Sequence, residues 1–309
     1  MNRNVLLKRP VSKSVETAMV FGSYLHLMAK DLRTFCAAIG SYDREKLKEY
    51  HWFTYHFNGG TKFYSWQTKP ASISGEYSIH WGATVRGFTD NAMLCANGVG
   101  NVGSDLISGA ALSKLFELGL SGTPTKNFTD YFHPEHAIPI KQISDELLTH
   151  VLDGGDIGPE RMARYVANHA VIVTVLKEEE VRGADKAINT SPRPLQDRYK
   201  SRILQDNGRV IEDVNIRSIQ DIIGIRYSEH PWWSKWSTDL ASKSDSDWDQ
   251  AVEAARPKCY KRSKGSTANR LVEMTPQNLS TLVENNGQTI ADKFYPDVVR
   301  KKDRWSKSK

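Results

Sequence analysis

The segment Phe132-His133-Pro134-Glu135-His136-Ala137-Ile138-Pro139-Ile140-Lys141 sets a carboxylate beside an imidazole at the start of a short apolar run. A neutral imidazole, with an ordinary pKa of ~6.5, can take a proton from water near neutral pH, and an ionised carboxylate can hold a cation or orient the ring. Pro139 ends regular strand pairing. If residues 135–138 are extended, Glu135 and His136 point to opposite faces, so a site using both needs a twisted backbone or a loop folded over it. His133 stands three residues before His136 and is a candidate partner of that ring. The other histidines invite less chemistry. His51 and His56 lie in an aromatic run, His80 sits beside Trp81, and His26 falls inside a helical pattern, so each reads as core or surface.

The elements that must position this pair can be read from periodicity. Over 14–39, Leu25, Met28, Leu32, Phe35 or Cys36 and Ile39 recur at helical steps, with Lys30, Asp31 and Arg33 between them on the polar side. A short helix follows from Asp43, a suitable N-cap. His51 to Phe57 and Lys62 to Gln67 are aromatic and β-prone, and Asn58-Gly59-Gly60 between them suits a tight hairpin; Tyr77 to Val85 is read as a third strand. Packing of a sheet against helices explains these aromatic residues more simply than a platform for stacking bases. Gly98 to Gly103 matches G-x-G-x-x-G, but no apolar strand leads into it, as a dinucleotide site requires. Further on, Ile143, Leu147, Leu148 and Val151 predict one helix, and Pro159 to His169 another, with Asp156 near its cap. Ala170 to Leu176 predicts a strand, and Lys177 to Glu180 an acidic helix start. Val210 to Tyr227 is strand or helix, Trp232, Trp233 and Trp236 a bulky loop, 242–249 a linker or helix start, and Gln277 to Glu284 a helix.

Glu135-His136-Ala137-Ile138-Pro139 resembles the first motif of the HNH nucleases of the His-Me finger superfamily. The order of elements over about residues 131–205 is similar to a phage and bacterial subgroup of that family, ending in Arg198-Tyr199. The resemblance implies an embedded ββα-metal core in which the 170–176 strand runs antiparallel to the strand around His136. It implies His136 as the general base that activates water and Glu135 as a metal ligand or the orienter of His136. Asn168 is the nearest counterpart of the second-motif asparagine, and Glu179 or Glu180 would replace the final ligand. Such a site would hold Mg2+ (or Mn2+) on the phosphate oxygens, and Arg198 could clamp the phosphate through its two-pronged guanidinium.

Charge points to the same class of partner. Thirteen Lys/Arg face five Asp/Glu between Arg256 and Lys309, whereas the rest of the chain carries 29 against 31, so the whole net charge of +6 arises in the last 54 residues. Arg256, Lys258, Lys261, Arg262 and Lys264, with Tyr260 interleaved to stack on a base, form a candidate nucleic-acid-binding cluster that releases counterions from phosphates. The alternative for this stretch is a solvated tail. No apolar run approaches the ~20 residues of a membrane span, and three scattered cysteines without Cys-x-x-Cys suit reduced thiols and exclude a zinc ribbon.

The chain therefore reads as α+β, with N-terminal helices and an aromatic hairpin sheet (1–130), a His-Me finger core (131–205), a Trp-rich connection (206–255) and a basic nucleic-acid-contacting extension (256–309). The function expected is a metal-dependent endonuclease of restriction or phage type, hydrolysing double-stranded DNA in the cytoplasm of a bacterial or phage-infected cell. No membrane partner is expected, and a dimer is left open. The alternative is a non-catalytic nucleic-acid-binding protein of a virus or phage, with a structural or packaging role.

Overall fold

A computed structural model of the chain describes residues 11–57, 81–94, 106–118, 128–136, 139–169, 172–179, 203–204, 210–211, 238–260 and 271–284. The architecture is α+β: helices dominate, and the strands are short. The elements in order are α1 (Val11–Ile39), α2 (Arg44–Leu47), α3 (His51–His56), α4 (Trp81–Leu94), β1 (Leu106–Ser108), α5 (Gly109–Glu117), α6 (Phe128–Tyr131), β2 (Phe132–His136), α7 (Ile140–Leu152), α8 (Pro159–His169), β3 (Ile172–Leu176), β4 (Ile203–Leu204), β5 (Val210–Ile211), α9 (Asp245–Tyr260) and α10 (Pro276–Glu284). Among the described residues no helix is long and apolar enough to cross a membrane.

Two compact units are each assembled from three separate stretches of chain. The first comprises Met1–Phe21, Val85–Glu146 and Ala163–Asp245, and the second Gly22–Thr84, Leu147–Met162 and Ser246–Lys309.

The first unit carries the sheet, in the order β2-β3-β1-β4-β5. Among the described strands β1 and β3 run parallel and the other neighbours antiparallel. Phe132, Val175, Leu176, Ala111 and Ile143 are buried in this unit. Its helical part brings Phe21 and Phe88 edge to face at 6.0 Å. Gly87 makes that approach possible, since a Cβ there would sit 2.9 Å from the Phe21 ring.

The second unit is packed around the apolar stripe of α1, where Leu25, Leu27, Met28, Leu32, Phe35 and Cys36 are buried. Against it stands an aromatic layer: Phe35 lies 4.9 Å from Trp52, Phe53 stacks on Phe57 at 5.8 Å, and Phe57 reaches Trp81 at 5.6 Å. This layer corrects the expected hairpin. His51–His56 and Trp81–Leu94 are helices, and the remaining expected strand segments, 58–67 and 77–80, lie outside the described residues. The buried positions explain why. Trp52, Phe53, His56 and Phe57 fall at i, i+1, i+4 and i+5, and Trp81, Thr84, Val85 and Phe88 at i, i+3, i+4 and i+7. A helix gathers each set on one face, whereas a strand would split it between two. β-Propensity yields to packing here.

Other expected helices form. Asp43 caps α2 by accepting from the Glu45 N–H at 2.9 Å. Leu147, Leu148 and Val151 of α7 are fully buried. The turn after α7 passes through Gly154 at φ +85°, and Arg33 donates to the carbonyls of Val151 (2.9 Å) and Gly155, satisfying groups that a helix end leaves open. Within the stretch 242–249 the helix α9 starts at Asp245, and Gln277 to Glu284 lies in α10. Cys36 and Cys259 are buried free thiols, and burial pushes the Cys36 thiol up to about 12; Cys95 lies outside the described residues.

Candidate functional site

β2 owes its place to a five-residue antiparallel ladder with β3, in which Phe132 pairs with Leu176, His133 with Val175, Glu135 with Val173 and His136 with Ile172. The Lys177 N–H donates to the Tyr131 carbonyl at 2.9 Å and extends the pairing past the strand ends. Phe132 and Leu176 are buried opposite each other, and Val175 is buried on the other face, so both faces anchor the strand. Among the described strands β2 stands at the end of the sheet. Glu135 and His136 are both half-buried and, one residue apart on an extended backbone, project to opposite faces.

Parity gives Glu135 a different companion. His133, two residues away, shares its face, and the His133 Nδ1 lies 3.9 Å from the Glu135 Oε1. That is too long for a hydrogen bond and short enough for both atoms to serve one cation.

Glu179 does not join this pair. It is buried, and its Oε2 accepts from the Leu176 N–H at 2.9 Å and from the Ser108 hydroxyl. Ser108 in turn accepts from the Ala111 N–H at 3.1 Å, capping α5 at its first turn. One carboxylate thus ties together the end of β1, the start of α5 and the turn after β3, close to the positive end of a helix. The register sets Ser108 beside Val175, and Val175 pairs with His133, so Ser108 stands two strand spacings, ~10 Å, from the His133–Glu135 edge. The structure thus places Glu179, expected as a metal ligand, as a buried tie to Ser108 and Leu176. Lys177 to Glu179 forms a turn, and the rest of the expected helix, from Glu180, lies outside the described residues.

Asn168 lies in the last turn of α8. Glu180 and Arg198 lie outside the described residues, as do Lys261, Arg262 and Lys264. Among the described residues no group of three or more His, Cys, Asp and Glu side chains is placed to hold a metal.

The described part of the basic cluster is more occupied than its charge suggests. Arg256 to Tyr260 is the last part of α9. Arg256 donates to Glu253 at 3.2–3.3 Å and to Glu273 at 2.9 Å, and these carboxylates raise its pKa further. Tyr260 is half-buried rather than a free stacking surface: its hydroxyl donates to Asp31 at 2.7 Å. Lys258 is exposed.

Asp31 lies inside, against the polar side that its place in the helical pattern predicts. It is 6% exposed, accepts from the Met274 N–H at 3.4 Å as well as from Tyr260, and burial raises its carboxyl to about 7. The stripe of α1 is wider than its most regular positions indicate, because buried Leu27 precedes Asp31 by one helical turn. Nearby, His26 donates through Nδ1 to the Ile157 carbonyl at 2.8 Å, and burial lowers its pKa.

No family model matches this chain, and no curated protein and no solved structure is found to match it.

Proposed function

We propose that this protein is a metal-dependent endonuclease that hydrolyses phosphodiester bonds of DNA at the β2 edge. The observation that carries the reading is the half-buried Glu135-His136 pair at the end of a strand that is outermost among the described strands and held antiparallel to β3. A substrate lying along the rim of an outer strand meets side chains from both faces, which removes the difficulty that Glu135 and His136 project in opposite directions. His136 accepts the proton of the attacking water, a task suited to an imidazole near neutral pH. Glu135 holds the cation, which supplies positive charge to the phosphate oxygens as the bond breaks.

The test is supercoiled plasmid incubated with the full chain in Mg2+, Mn2+ or EDTA. Nicking or linearisation is expected with the metals and none with EDTA. His136→Ala should cut the rate by ~10²–10⁴ and leave the circular dichroism spectrum unchanged. Full activity in that variant, or no cleavage in any metal, overturns the proposal. A second reading, a nucleic-acid-binding protein without catalysis, is favoured by the internal commitment of Glu179 to Ser108 and Leu176. It predicts salt-sensitive DNA binding with no product in any metal.

A further inference from the structure

The face of β2 opposite His136 carries, beside Glu135, a donor that the expected ligand set did not contain, His133. His133 and Glu135 sit at i and i+2, their donor atoms 3.9 Å apart, with side chains 37% and 15% exposed. Bonds of about 2.1 Å from each donor to a common ion place the two donors ~3–4 Å apart, depending on the angle between them. The observed 3.9 Å falls at the long end of that range. The strand backbone itself fixes the spacing, since its i, i+2 neighbours are held parallel by pleating and by five rungs with β3. Glu179, one of the two carboxylates expected to share the metal with Glu135, is spent on Ser108 and Leu176.

We infer that His133 and Glu135 form a two-residue site for a divalent cation, completed by water and substrate oxygens, that prefers Mn2+ to Mg2+. An imidazole nitrogen beside a carboxylate oxygen suits a transition-metal ion, whereas Mg2+ favours an all-oxygen shell and keeps most of its water. The inference rests on the endonuclease reading for its purpose but not for its geometry. His136, on the far face, is not a ligand.

The probe is Mn2+ alone, titrated into the full chain and followed by the electron paramagnetic resonance signal of the free ion, with Mg2+ as competitor. Even the outer partners of metal ligands are worth about 10–100-fold in affinity, so His133→Gln and Glu135→Gln should each weaken Mn2+ by at least about tenfold. His136→Ala should bind as the wild type does, and a large molar excess of Mg2+ should be needed to displace the ion. Thermal midpoints are measured on the same samples, and a loss of binding counts only where the midpoint is retained. The half-exposed position of His133 favours that outcome. Wild-type affinity in both glutamine variants overturns the inference, as do equal loss in His136→Ala, loss of binding only where the fold is also lost, or displacement by equimolar Mg2+. Plasmid cleavage in parallel separates the two claims. Metal-dependent cleavage with Mn2+ binding indifferent to His133 sinks the cation site alone, whereas Mn2+ held by His133 and Glu135 without cleavage sinks the endonuclease alone.

Discussion

The substitution Asp31→Asn should remove a pH dependence from the stability of this protein, with a sign opposite to that of ordinary acid denaturation. The Asp31 carboxyl is 6% exposed on α1 and receives the Tyr260 hydroxyl at 2.7 Å and the Met274 N–H at 3.4 Å. Both bonds favour the ionised form, as does Lys30, but burial outweighs them and Glu273 adds repulsion, so the carboxyl rises from 3.8 to about 7. A carboxyl whose pKa is raised on folding holds its proton more tightly in the folded chain. Its contribution is fully present below the unfolded value of 3.8 and is lost as pH rises through about 7. Between about pH 5 and about pH 8 the loss is on the order of 2–3 kcal/mol.

The asparagine side chain keeps one acceptor for the Met274 N–H and offers its amide to the Tyr260 oxygen, much as the protonated acid does. The measurement is urea denaturation of the full chain and of the variant across that range. His26 titrates in the same window with the opposite sign: burial depresses its pKa, so its contribution is present above 6.5 and lost as pH falls through the lower folded value. The difference between the two proteins at each pH cancels His26, because both retain it. That difference should shift steadily in favour of the asparagine variant as pH rises. A difference that stays flat across the range would refute the assignment of a buried, nearly neutral carboxyl at this position.

Three further outcomes follow from the packing and from the charge. Glu179→Ala strands two buried donors, the Ser108 hydroxyl and the Leu176 N–H, and should lower stability by ~2–4 kcal/mol in thermal denaturation while Mn2+ affinity is unchanged; an unaltered midpoint would contradict the structural role. Gly87→Ala drives a methyl to within 2.9 Å of the Phe21 ring and should cost ~1–3 kcal/mol, with Phe21→Leu in the same chain recovering part of it; additive losses in the double variant would count against the contact. Neutralising Lys258, Lys261 and Arg262 together should flatten the slope of log K against log salt for DNA binding by roughly 0.9 per lost phosphate contact, equally for all duplex sequences, and coincident salt titrations would rule out a phosphate-binding cluster.

The elements legible in the sequence are those whose local pattern has one physical solution. The apolar steps of α1, α7 and α10, the Asp43 cap and the β-branched run of β3 each allow little besides what forms. The aromatic stretch at 51–57 allows two solutions. Tyr, Trp and Phe favour strands by propensity, yet their spacing at i and i+4 also builds a helical face, and contact with Phe35 decides between them. The candidate site divides along the same line. The Glu135-His136 dipeptide stands out as a string of letters, but which imidazole shares a face with Glu135 depends on whether the segment is extended and on what it pairs with. Once β3 holds it in register, parity alone selects His133. Glu179 cannot be sorted in this way, because its partner Ser108 lies 71 positions earlier and nothing near either residue announces the meeting. Asp31 and Tyr260 are 229 positions apart and look in the sequence like opposite kinds of surface residue, one on a polar helix face and one in a basic cluster. Joined, they withdraw each other from solvent. A carboxylate in a sequence can hold a metal, cap a helix or tie two strands, and only the long-range partner that the fold delivers decides among these roles.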